Sequence, residues 1–119
     1  YIKLGQSSST LSGGESQRIK LAYFLSMNES SHKKIMFIFD EPTTGLHFYD
    51  VEKLLKSFDA LLDKGHTVVV VEHNLDVIRS ADWVIELGPG AGAEGGNLVF
   101  EGTPEELSEK GSTATAAYL

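Results

Sequence analysis

"IMFIFDEPTTG", Ile35 to Gly45, is an apolar run that stops at two carboxylates, a proline and a turn. A continuous run of this length predicts a strand covered on both faces, as strands of parallel sheets are. TVVVV, Thr67 to Val71, repeats the pattern with β-branched residues and also closes on polar groups, Glu72, His73 and Asn74. Between them, Asp50 to Lys64 places Val51, Leu54, Leu55, Phe58, Leu61 and Leu62 on one helical face, and Gly65 supplies the stop. Strand, helix, strand in this order makes the two strands parallel, with both faces covered. The expected class is α/β, with a mostly parallel sheet flanked by helices.

Upstream, TLSGGESQR (Thr10 to Arg18) opens a helix predicted over Glu15 to Met27, whose buried stripe is Ile19, Ala22, Tyr23 and Met27, widened by Leu21, Phe24 and Leu25. Ser12 and Glu15 have the spacing of a capping box. The glycines between them leave the helix N–H groups unscreened, where the dipole attracts an anion. Asn28 to Lys34 ends the helix. Downstream come a short helix from Asn74 to Ser80, a strand from Asp82 to Leu87, the loop GPGAGAEGG and a strand from Asn97 to Gly102. A terminal helix follows, with Thr103 as cap and Pro104 at its first position. Gly90, Gly92 and Gly95 form a GxGxxG, but a strand follows where a dinucleotide site needs a helix, so a C-terminal β-hairpin is expected instead.

The 119 residues suit one small domain, and the formal charge of −7 repels polyanions, which places any nucleic-acid contact mostly outside this segment. The absence of cysteine excludes disulfides and thiolate zinc sites and fits a reducing cytoplasm. No apolar run approaches the roughly 20 residues of a membrane span, so the expectation is a soluble chain with no membrane partner. Opening on Tyr1 without methionine, it reads as an excised piece.

In open α/β sheets ligands gather outside the carboxyl ends of strands, where Asp40, Glu41, Glu72 and His73 all fall. An aspartate at such a tip can hold Mg2+ beside phosphates, and the next glutamate can orient or deprotonate a water aimed at the γ-phosphate. Taken singly, a strand-end carboxylate is usually a turn residue and a lone histidine more often structural, and it is their combination that points to a site. His32, His47, His66 and His73 lack the close spacing of zinc motifs.

Together, LSGGESQR, IMFIFDEP and VEH resemble, in order, the signature, Walker B and switch-histidine motifs of the ATP-binding-cassette ATPases. The resemblance implies a partial P-loop NTPase cassette over residues 1–119. In it Asp40 holds magnesium through water, and Glu41 and His73 are catalytic. Ser12, Gly13, Gly14 and Glu15 meet the ATP of a partner cassette, and Thr43, Thr44, Gly45, Leu46 and His47 form the loop crossing to it. His47, where transporter cassettes carry aspartate, and EHNLDVIRSADWVIELGPG are similar to the DNA-repair branch, the damage-recognition ATPases of nucleotide excision repair, at the end of their second cassette. This implies as partners a second cassette of the same chain, a homodimer, the excision-repair B protein, and damaged DNA through other parts of the protein. Zinc would belong to those other parts. No GxxxxGK[ST] occurs, so the segment alone is expected to be inactive, with an incomplete sheet and partly exposed strands. Asp40, Glu41 and His73 should cluster while Ser12 stands apart. A transporter motor domain and a non-catalytic interaction module are the alternatives.

Overall fold

A computed structural model describes residues 13–27, 33–88, 95–111, 113 and 115–119. The chain divides into two compact units, Tyr1–His73 and Asn74–Leu119.

The first unit runs α1 (Gly13–Ser26), β1 (Met36–Asp40), α2 (Phe48–Asp63) and β2 (Thr67–Val71). The crossover is as the sequence predicts: β1 and β2 are parallel, in register from Met36 opposite Thr67 to Asp40 opposite Val71. Alternation along β1 turns Phe37 and Phe39 inward, both wholly buried, onto Leu21 of α1 and Leu54, Phe58 and Leu61 of α2. Phe37 meets Phe24 edge-on at 4.8 Å, and Phe39 meets Phe58 at 4.9 Å. His66 is part of this core, its Nδ1 accepting the Ile35 N–H at 3.1 Å and its ring edge-on to Phe24 and Phe37. Gly65 ends α2 at φ +86°, a conformation that favours glycine.

Two expectations are corrected. Among the described residues cover on both faces is not found: α1 and α2 pack on the phenylalanine face, while Met36, Ile38, Val69 and Val71 of the other face stay exposed. The partly exposed strands that the sequence also predicts are what the structure displays. In α1, the buried residues are Gly14, Ser16, Gln17 and Leu21, whereas Ile19, Ala22 and Tyr23 are exposed. The face turned inward is chosen by what Gln17 and Gly14 meet, described below, not by the richest apolar stripe.

The second unit comprises α3 (Leu75–Ser80), β3 (Val84–Gly88), β4 (Asn97–Gly102), α4 (Pro104–Lys110) and a 3-10 turn (Ala116–Tyr118). Asn74 caps α3, its Oδ1 accepting the N–H groups of Asp76 and Val77. Thr103 and Glu106 form a reciprocal capping box on α4, with Pro104 at its start. β3 and β4 pair antiparallel with a bulge at Glu86/Leu87, so the hairpin is present, although residues 89–94 of its loop lie outside the described residues. Among the described residues the sheets are therefore one parallel and one antiparallel pair, rather than a mostly parallel sheet. No helix among them is long and apolar enough to cross a membrane.

Candidate functional site

The tip of β1 carries the carboxylates. Asp40 is its last residue and is exposed, and the Glu41 N–H continues the ladder by donating to the Val71 carbonyl at 2.8 Å. Glu41 then adopts φ +48°, a left-handed conformation unusual for a residue with a side chain. That turn is fixed at its carbonyl, which accepts the Thr44 N–H at 3.2 Å and the Thr44 hydroxyl at 2.7 Å. The reversed chain leaves the Glu41 carboxylate 3.5 Å from His73 Nε2, with the two side chains 52% and 87% exposed. The tips of the two strands thus bring Glu41 and His73 together at one open edge.

Three further side chains hold this edge. Glu72 reaches across from β2, its Oε2 accepting the Thr43 hydroxyl at 2.7 Å and the Thr43 N–H at 3.2 Å, while Oε1 accepts the His73 N–H at 3.0 Å. Gln17 of α1 is 3% exposed, and its amide closes on the backbone of Asp40: Oε1 accepts the Asp40 N–H at 2.6 Å and Nε2 donates to the Asp40 carbonyl at 2.7 Å. A primary amide offers one acceptor beside one donor, as a neighbouring strand does, so Gln17 satisfies both backbone groups of Asp40 on the edge of β1 facing away from β2. Arg18 donates from Nη1 to the carbonyls of Pro42 at 2.7 Å and Thr44 at 3.0 Å.

Of the residues expected to form the signature motif, only some are described. Gly13, Gly14 and Glu15 open α1, with Glu15 exposed, while Thr10, Leu11 and Ser12 lie outside the described residues, as does the expected gap between Ser12 and Glu41. At Gly14 a Cβ would stand 2.7 Å from Arg18 Nη1 and 3.2 Å from the Thr44 carbonyl, so the start of α1 presses directly on the loop after Glu41. In that loop Thr43 is held by Glu72, Gly45 takes φ +76°, Leu46 packs on the core, and His47 stacks on Tyr49 at 5.6 Å. Among the described residues no three His, Cys, Asp or Glu side chains are grouped to hold a metal ion.

Gln17, Arg18 and Glu72 are the members that sequence reading did not single out as holding the site. For Gln17 a signal existed: it lies on one helical face with Gly14 and Leu21, a polar residue within a buried line.

No family model matches the chain. Along all 119 residues it is 54% identical to UvrABC system protein A of Haemophilus ducreyi and 56% identical to that of Pseudomonas putida, in each case spanning 12% of the relative. The protein of the same name from Aquifex aeolicus is 56% identical, with 13% of its length covered. Among solved structures, UvrA2 from Deinococcus radiodurans superposes with a TM-score of 0.80 at 43% identity, over the whole chain and 14% of that protein. The chain thus spans about an eighth of the curated relatives it matches, and these relatives do not favour the transporter alternative.

Proposed function

We propose that this segment of the UvrA family supplies two surfaces of an ATP-binding-cassette ATPase serving nucleotide excision repair, one carrying the hydrolytic carboxylates and one presenting the start of α1 to a partner's nucleotide. The observation that carries the proposal is the 3.5 Å approach of Glu41 to His73 at an open strand edge, beside the exposed Asp40. Glu41 is placed to accept a proton from an attacking water, and His73 to contact the transferred phosphate while orienting that carboxylate. Asp40 fits the magnesium that accompanies ATP, as an exposed carboxylate at a strand tip reaching it through water. The ion would supply charge neutralisation at the phosphates. Ser12, Gly13, Gly14 and Glu15 would face the ATP of a partner cassette, and Thr43 to His47 would cross to it.

The segment is part of one P-loop cassette and alone turns over no ATP, because the sequence holds no GxxxxGK[ST] to cradle phosphates. The partner cassettes are a second one in the same chain and those of a homodimer, in a cytoplasmic setting. Damaged DNA and the excision-repair B protein engage other parts of the protein, as does any zinc. In a full-length UvrA carrying this sequence, Glu41→Gln should retain ATP binding and lose turnover, since the amide keeps the shape but accepts no proton. Turnover persisting in that variant, or nucleotide affinity falling in step with rate, overturns the assignment.

A further inference from the structure

We infer that Arg18, supported by Gln17, is a positioning residue that locks the first turn of α1 to the loop bearing Glu41, so that whatever engages the start of that helix also sets the orientation of the carboxylate. The inference rests on the function proposed above and deepens it, by naming the link between the two surfaces.

The geometry is continuous. Gln17 and Arg18 lie one turn into α1, directly behind Gly13 and Gly14. Gln17 Nε2 donates both to the Gly13 carbonyl, at 3.0 Å, and to the Asp40 carbonyl, at 2.7 Å, so a single amide joins the first residue of the helix to the last residue of β1. One guanidinium nitrogen of Arg18 bridges the carbonyls of Pro42 and Thr44, which bracket the loop just after Glu41. Gly14 lies so near the Thr44 carbonyl that a side chain there would crowd it, so the helix start and the loop are closely packed. A planar, permanently charged guanidinium suits this task, because it can serve two carbonyls in a fixed geometry that an ammonium on a flexible stem does not hold. A shift of the helix start therefore drags Asp40 through Gln17, and Pro42 and Thr44 through Arg18. Glu41 lies between these anchors, at a left-handed φ that gives it few alternative paths.

The test uses a full-length UvrA carrying this sequence, with steady-state ATP turnover and equilibrium nucleotide binding measured for Arg18→Ala, Arg18→Lys and Glu41→Gln. Arg18→Ala should lower kcat about tenfold with KM for ATP changed less than about twofold, the split expected when the hydrolytic carboxylate is misaligned while nucleotide still binds. Arg18→Lys, restoring the charge and a donating nitrogen but on a flexible stem that holds the two carbonyls less firmly, should recover part of kcat. Unchanged kcat in Arg18→Ala while Glu41→Gln abolishes turnover overturns this inference and leaves the function standing. A parallel loss of nucleotide affinity and kcat that lysine does not relieve assigns Arg18 to folding alone and also overturns it. If the alanine variant does not fold, a folded Arg18→Lys with full kcat refutes the two-carbonyl link, and one with reduced kcat and unaltered KM supports it. Turnover surviving Glu41→Gln removes the functional reading and this inference with it.

Discussion

Replacing Glu72 by alanine should loosen the loop after Glu41 without unfolding the strands beside it. The Glu72 carboxylate accepts two hydrogen bonds from Thr43 and one from the His73 N–H. A bond to a charged acceptor contributes roughly 1.5–3 kcal/mol when buried, and Glu72 is only half-buried, so the two at Thr43 together are worth about 2 kcal/mol. That converts to roughly 30-fold in the opening equilibrium of the loop, at about 1.4 kcal/mol per factor of ten. Amide hydrogen exchange followed residue by residue reads it directly: the Thr43 N–H should exchange about 30-fold faster in the variant. The Glu41 N–H, bonded instead to the Val71 carbonyl, should hold its rate and is the internal control. Glu72→Gln, keeping one neutral acceptor, should fall between. Thr43 exchange unchanged within about threefold, or equal acceleration at Thr43 and Glu41, refutes a local bracket.

Two other perturbations probe the core and the strained residue. Phe37 is wholly buried among Phe24, Phe39 and His66, so Phe37→Ala should cost about 3–5 kcal/mol in chemical denaturation, and a loss under about 1.5 kcal/mol would contradict this core. Asparagine tolerates the left-handed region better than glutamate, so Glu41→Asn should stabilise the fold by about 0.5–1 kcal/mol in thermal unfolding while ending turnover in the full-length protein; a destabilised variant argues against strain at this position.

The elements that sequence reading placed well were those whose own residues determine them. IMFIF and TVVVV are strands because nothing in them is polar beyond the Thr67 hydroxyl, and their parallel pairing follows from the helix between them. Thr103, Pro104 and Glu106 define the start of α4 by local hydrogen bonding alone, and the structure shows that cap complete. What escaped was set by partners distant in sequence. An apolar run predicts cover but does not say from which side, and both helices of the first unit fall on the phenylalanine face, leaving Met36, Ile38, Val69 and Val71 open. The inward face of α1 was misread because periodicity weighs apolar surface, whereas Gln17 is drawn in by a backbone edge 23 residues away. Asp40, Glu41 and His73 could be nominated from strand tips. The bracket by Glu72 could not, since a carboxylate accepting from a loop has the same sequence signature as one facing water.

The polar groups around Glu41 explain how a strained residue is held in place. From Asp40 to Thr44, every backbone donor and acceptor has a partner: Gln17 takes both groups of Asp40, Val71 and Thr44 take those of Glu41, Arg18 takes the carbonyls of Pro42 and Thr44, Glu72 takes the Thr43 N–H, and the Leu46 N–H takes the Thr43 carbonyl. Pro42 has no N–H to leave unpaired. A left-handed glutamate costs on the order of 1–2 kcal/mol, and several hydrogen bonds of about 1 kcal/mol each offset it only if they act on the same few residues, as they do here. The consequence is a backbone with little freedom beneath side chains left open to solvent. Among the bonds just named none uses a carboxylate oxygen of Asp40 or Glu41, and the Glu41 carboxylate instead approaches His73 Nε2 at 3.5 Å. A loop built only to connect β1 to α2 would need neither the left-handed residue nor three side chains from two other segments to fix it. The backbone at the tip of β1 is thus tied to α1 through Gln17 and Arg18 and to the end of β2 through Glu72, and moves only with them.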